Sequence, residues 1–167
     1  MNTPRVTTAR ILANKALQKA CGRECVDWAV SMLEAGADTP HLRILAGELP
    51  PYNHFAVAQL RDAALHELSL SGPVGDVAVR MYAVERLRAA LAGDEDLIDV
   101  LSVVKDLCIA HDYQKDLYDF YLLFFAYSDL QEEPHQWYWA GATRENIVSV
   151  IRQRARDFVA DAGHANA

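Results

Sequence analysis

Apolar residues recur three and four positions apart along almost the whole chain, which is the spacing of an amphipathic α-helix. Signals for β-strands are poor, because no six-residue window alternates apolar and polar residues between Asn-Gly or Asp-Gly turns. Glycine and proline interrupt the apolar stripes at short intervals. The sequence therefore predicts an all-α protein of about seven or eight helices, with stripes near 9–20, 26–33, 40–47, 57–68, 77–91, 97–108, 117–124 and 147–158.

Residues that commonly cap helices stand before several of these stripes. Thr3 precedes Pro4, Asn53 precedes the fourth stripe, and Thr143 precedes the last. Their side-chain oxygens can accept hydrogen bonds from the free N–H groups of a first helical turn, so we expect helices to begin there. The last stripe should turn four residues inward: Ile147, Ile151, Ala155 and Phe158.

The length of 167 residues is typical of one domain. We expect a single helical domain over residues 1–162 and a frayed tail of small and polar residues at 163–167. The longest apolar stretch, 117–127, is too short to span a bilayer, and the start of the chain lacks a signal-peptide pattern. An odd number of cysteines then favours reduced thiols in the cytoplasm. We expect buried, unreactive thiols at Cys21, Cys25 and Cys108.

Negative charge is concentrated in one part of the chain, whose net formal charge is -7. Between Asp94 and Glu133, eleven acidic residues face only Lys105 and Lys115. An acidic surface repels the phosphate backbone, so nucleic acid is disfavoured as a partner. The segment can form a docking face for a basic protein, or a solvated face that keeps the protein soluble.

His111 and three aspartates form the strongest chemical cluster in the sequence. If one helix includes Asp112, Asp116 and Asp119, their spacing places them on one face. Three close carboxylates either raise a pKa or recruit a cation. The sequence has no His-Glu-x-x-His motif to supply further ligands, and its one Glu-x-x-His, at 132–135, contains Pro134, which does not suit a helix interior. We therefore predict no metal or cofactor, and keep a metal or hydrolytic site at His111 as the alternative.

Aromatic residues crowd the segment from Tyr113 to Tyr127, and three more follow at 137–139. A helix that is apolar nearly all round is usually the buried central helix of a bundle. Consecutive residues in a loop point in different directions, so at least one ring of Trp137, Tyr138 and Trp139 should be exposed. Exposed Trp and Tyr are enriched in binding hot spots. These three residues are therefore either interface anchors or part of local packing.

The most distinctive local sequence is LRILAGE at 42–48, followed by PPYNHF at 50–55. With its flanks, over about residues 24–68, it resembles a segment of small helical bacterial proteins of unassigned function. Some of those proteins look like immunity proteins of contact-dependent or polymorphic toxin systems. The resemblance supplies no catalytic residue. It implies a cytosolic protein that neutralises its partner by binding.

Together these features predict an interaction protein rather than an enzyme. A basic protein partner would contact Asp112, Asp116 and Asp119 and the rings of Trp137, Tyr138 and Trp139. Self-association through the aromatic loop is a third possibility beside the metal or hydrolytic alternative. Membrane insertion is not expected.

Overall fold

The computed structural model describes residues 6–164, which contain helices and no β-strand. This confirms the predicted all-α class. Within the described residues, none of the helices combines the length and hydropathy of a bilayer-spanning segment. The helices are α1 (Thr8–Ala16), α2 (Arg23–Glu34), α3 (Pro40–Ala46), α4 (His54–Glu67), α5 (Gly75–Ala92), α6 (Leu97–Ala110), a 3-10 helix (Lys115–Leu117), α7 (Tyr118–Glu132) and α8 (Ile147–His164).

Polar side chains cap three of the helices. Asn53 accepts a hydrogen bond from the Ala56 N–H at 3.1 Å, which confirms the predicted start of α4. Thr7 caps α1 and Asp96 caps α6. The expected cap at Thr3 and Pro4 lies outside the described residues. Thr143 stands four residues before α8, where its carbonyl accepts from the Ile147 N–H at 2.9 Å.

The chain divides into two compact units. The first unit ends at Val79 and the second begins at Arg80. Helix α8 continues to His164 and so includes the first two residues of the predicted tail. Residues 165–167 lie outside the described part of the chain.

The first unit is built around Trp28 of α2. Its indole ring is fully buried, and its Nε1–H donates to the Thr8 hydroxyl at 3.1 Å. Helix α2 packs on α1 and α3, and α3 packs on α4. The buried residues of the four helices thus form one cluster, which includes Ile11, Trp28, Leu42, Leu45, Val57 and Leu65.

Two of the three cysteines differ from expectation. Cys21 and Cys25 form a disulfide across the start of α2, with their Cα atoms 6.0 Å apart. The prediction of reduced thiols is therefore wrong for this pair and confirmed for Cys108, which is free and buried. The chain turns at Gly22 between the loop and the helix, and this brings the two sulfur atoms together. His54 holds the same turn, because its Nδ1 lies 2.6 Å from the Cys21 carbonyl oxygen.

The second unit is built on α7, which packs against α6 and α8. Phe120 of α7 meets Phe158 of α8 edge to face, with ring centroids 5.3 Å apart. The inward stripe predicted for α8 is confirmed, since all four of its residues are buried. The core of this unit includes Val100, Leu101, Val104, Leu117, Phe120, Leu123, Ile147, Ile151 and Phe158.

Candidate interaction surface

Helix α7 has one buried face and one half-exposed aromatic face. Phe120, Leu123 and Ala126 lie in the core, whereas Tyr118, Tyr121 and Phe125 remain partly or largely accessible. The expectation of a helix buried nearly all round is therefore wrong. Tyr118, Tyr121 and Phe125 follow one another at helical spacings of three and four, which places them on the same side.

Five rings from three parts of the chain join along this side. Tyr118 stacks on Tyr121 at 5.4 Å, and Tyr121 meets Phe125 at 4.9 Å. Tyr113, in the turn after α6, meets Tyr121 edge to face at 5.4 Å, and Tyr138 approaches Phe125 at 5.7 Å. Desolvation raises the pKa of Tyr121, and the neighbouring tyrosines raise it further. We call these five residues, Tyr113, Tyr118, Tyr121, Phe125 and Tyr138, the aromatic surface.

A single glutamine organises the loop that contains Trp137. The Gln136 side-chain amide donates to the carbonyl oxygens of Trp139, at 2.6 Å, and Ala142, at 3.1 Å. Its Oε1 accepts from the backbone N–H groups of Tyr138 and Trp139, both at 2.8 Å. The loop is thereby closed around one half-buried side chain. Trp137 is left 93% exposed, which confirms that at least one ring of the triplet faces solvent.

Two more side chains hold the ends of this loop. Arg144 donates to the Leu130 carbonyl at 2.7 Å and the Glu133 carbonyl at 3.1 Å, at the end of α7. Asn146 accepts from the Thr143 N–H at 2.8 Å and donates to the Gly141 carbonyl at 3.0 Å. Sequence analysis missed Gln136, Arg144 and Asn146. The signal that could have suggested them is a Trp-rich loop with few apolar neighbours, which needs polar side chains to hold its backbone.

The three predicted aspartates do not lie on one helix. Helix α6 ends at Ala110, and Asp112 and Tyr113 have positive φ angles of 51° and 57°. Asp116 lies in the 3-10 helix and Asp119 in the first turn of α7. The chain reverses between them, so the regular helical spacing that would align the carboxylates is lost.

Two of these aspartates are paired with arginines from other helices. Arg80 Nη1 lies 2.9 Å from Asp116, and Arg154 Nε lies 2.7 Å from Asp119. Asp112 is exposed. His111 is the C-cap residue of α6. Among residues 6–164, no group of three or more His, Cys, Asp or Glu side chains is arranged to hold a metal ion.

An open cleft of about 670 Å³ lies beside the aromatic surface in the second unit. It shares Tyr113 and Tyr118 with that surface. Arg80 lies 4.7 Å above the Phe158 ring centroid, and Arg154 lies 5.7 Å from the same ring. The full lining is Arg80, Tyr113, Lys115, Asp116, Tyr118, Asp119, Arg154, Phe158 and Asp161.

Comparison with protein-family models, curated proteins and solved structures gives no significant match. Function is therefore inferred from the surface itself.

Proposed function

We propose that this protein is a non-enzymatic binding module whose partner is a protein with a basic surface. The partner docks on the aromatic surface and on Trp137. The observation that carries the proposal is the 93% exposed Trp137 at the tip of a hydrogen-bonded loop. The four hydrogen bonds of Gln136 hold the loop in a conformation that leaves the Trp137 ring in water. A large apolar ring in that position has no role in the packing of the fold.

The structure of the loop favours binding energetically. Association is weakened when loops and side chains must be ordered at the interface. The Gln136 side chain already fixes the backbone at Tyr138, Trp139 and Ala142, directly after Trp137, so this ordering cost is small. Tyr113 and Tyr138 add exposed rings on the aromatic surface. Trp and Tyr in such positions commonly dominate the free energy of association.

Charge selects the class of partner. Asp112 adjoins Tyr113, while Glu132 and Glu133 stand in the exposed segment before Trp137. Acidic side chains around an apolar centre speed the encounter with a basic surface and disfavour acidic ones. Asp116 and Asp119 are already paired with arginines, so their contribution to long-range attraction is smaller than that of Asp112.

The resemblance over residues 24–68 extends this proposal to a toxin-neutralising role of the immunity type. In that role the partner is a basic toxin domain, and the binding of that domain is the whole activity. A protein of that kind would act in the cytoplasm, and the proposal includes that location.

A capture experiment with paired variants tests the proposal. Tagged wild-type protein, Trp137→Ala and Leu49→Ala are exposed to lysate of the source cell and eluted with rising salt. Leu49 is a matched control, because it is 78% exposed but lies in the first unit. We expect a dominant basic protein that Leu49→Ala retains and Trp137→Ala binds about 30-fold more weakly.

Two results would contradict the proposal. One is capture that Trp137→Ala leaves unchanged. The other is a concentration-dependent dimer, seen by light scattering, that Trp137→Ala abolishes. That dimer would assign the surface to a second copy of the chain.

A further inference from the structure

We infer that the cleft beside the aromatic surface binds an arginine side chain of the partner; this inference rests on the proposed function. The cleft lies wholly within the second unit, and its volume of about 670 Å³ is within the usual range for ligand pockets. Its lining is neither simply acidic nor simply apolar. The arrangement of its charges points to the class of ligand.

The arginines lie deeper in the cleft than the carboxylates they pair with. The Arg80 side chain is 29% exposed against 49% for Asp116, and Arg154 is 24% exposed against 42% for Asp119. Both guanidinium groups lie near aromatic rings, Arg80 at 4.7 Å from Phe158 and Arg154 at 5.6 Å from Phe120. The carboxylates therefore present their remaining lone pairs toward solvent, since each carboxylate has about four acceptor sites.

The mouth of the cleft offers the same two kinds of group that surround each arginine inside it, a carboxylate and aromatic rings, but it holds no arginine. Inside, each guanidinium group has a carboxylate and an aromatic face. At the mouth, Asp161 supplies an exposed carboxylate with no ion pair or hydrogen bond to any side chain of residues 6–164, and Tyr113 and Tyr118 supply exposed rings. A guanidinium group suits this set better than an ammonium group, because its planar fork binds carboxylates and stacks on rings.

Lys115 also lines the cleft and is the one exposed cation there among the described residues. It opposes a cationic ligand and limits the affinity of an isolated side chain. Arg80 and Arg154 each already pair with a carboxylate and lie near an aromatic ring, so much of their charge is neutralised within the cleft. The exposed rings of Tyr113 and Tyr118 attract cations, so the cleft favours a cationic ligand over an anionic one.

Titration of the full chain with N-acetyl-arginine amide tests the inference by ¹H–¹⁵N NMR. Citrulline replaces arginine in the matched neutral probe. We expect saturable shifts of the backbone amides at 113–119 and 154–161 with the arginine probe, and none with the citrulline probe. Asp161→Asn should weaken binding about three- to fivefold. Asp106→Asn should not, although it removes the same charge from an exposed site outside the lining.

Three outcomes would overturn the inference. Equal shifts with both probes would show that charge does not direct binding. Unchanged affinity in Asp161→Asn, with thermal unfolding like that of the wild type, would remove the mouth carboxylate from the site. Inorganic phosphate that shifts the same amides at lower concentration would make the cleft an anion site. These results are read separately from the Trp137 capture experiment, so failure of the cleft inference and failure of the proposed function are distinguishable.

Discussion

The buried indole of Trp28 allows a quantitative test of the first unit. The ring is fully buried, and its N–H has the hydroxyl of the partly buried Thr8 as hydrogen-bond acceptor at 3.1 Å. Thr8→Val keeps the shape of the side chain and removes that acceptor, together with a weak contact from the hydroxyl to the Met32 sulfur at 4.0 Å. Helix propensity changes little, because Thr and Val rank close together. An unsatisfied buried donor costs about 1–3 kcal/mol, so the free energy of unfolding should fall by that amount.

A double-mutant cycle with Trp28→Phe isolates this hydrogen bond. Trp28→Phe removes the N–H together with part of the ring, so it destabilises the unit by itself. In that background Thr8→Val should cost less than about 0.5 kcal/mol, since no donor remains to be stranded. Urea denaturation measures all four proteins, with the slope of the transition checked for constancy. A Thr8→Val cost that is the same in both backgrounds would refute the reasoning.

Further predictions concern a loop, a thiol and a carboxyl group. Gln136→Ala should speed hydrogen exchange at the amides that its side chain holds, which NMR exchange measurements detect; unchanged exchange would contradict the role of Gln136. Cys108 should react with a thiol reagent only after unfolding, because it is buried and burial raises its pKa; rapid labelling of the folded protein would contradict this. Burial raises the pKa of Asp62, but hydrogen bonds from Arg61 and Lys15 outweigh it and hold that pKa below 3.8. The carboxylate therefore stabilises the fold above that pH, and Asp62→Asn should lose stability at pH 7 but progressively less as the pH falls below 3.8 in thermal unfolding scans.

The helices could be predicted from the sequence because their buried residues recur at short, regular spacings within each helix. The stripe through Ile147, Ile151 and Phe158 lies inward as expected, and Asn53 begins α4. The turn after α6 was harder, because Asp112 and Tyr113 adopt positive φ without glycine. Non-glycine residues rarely do so, and composition alone gives little warning of it.

The candidate site was only partly predictable, for a different reason. The exposure of Trp137 could be expected because three large aromatic residues stand next to one another. The hydrogen bonds from Gln136 to the loop backbone depend on backbone geometry that a sequence does not display. The ion pairs also join distant positions, 36 residues apart for Arg80 and Asp116 and 35 apart for Arg154 and Asp119. Spacing rules within one helix cannot find such partners.

The pairing of arginines with the acidic segment has a kinetic consequence. Arg80, Arg86 and Arg154 lie outside residues 94–133, and each pairs with an acidic side chain inside them. The field beyond the surface is therefore weaker than the eleven acidic residues of the segment alone imply. Opposite charges held in an ion pair largely cancel at distances beyond their separation, so the unpaired carboxylates dominate the attraction of an approaching molecule. At physiological ionic strength that attraction is itself screened over about 8 Å. The slope of association rate against salt should thus reflect a smaller charge than the sequence of the segment carries.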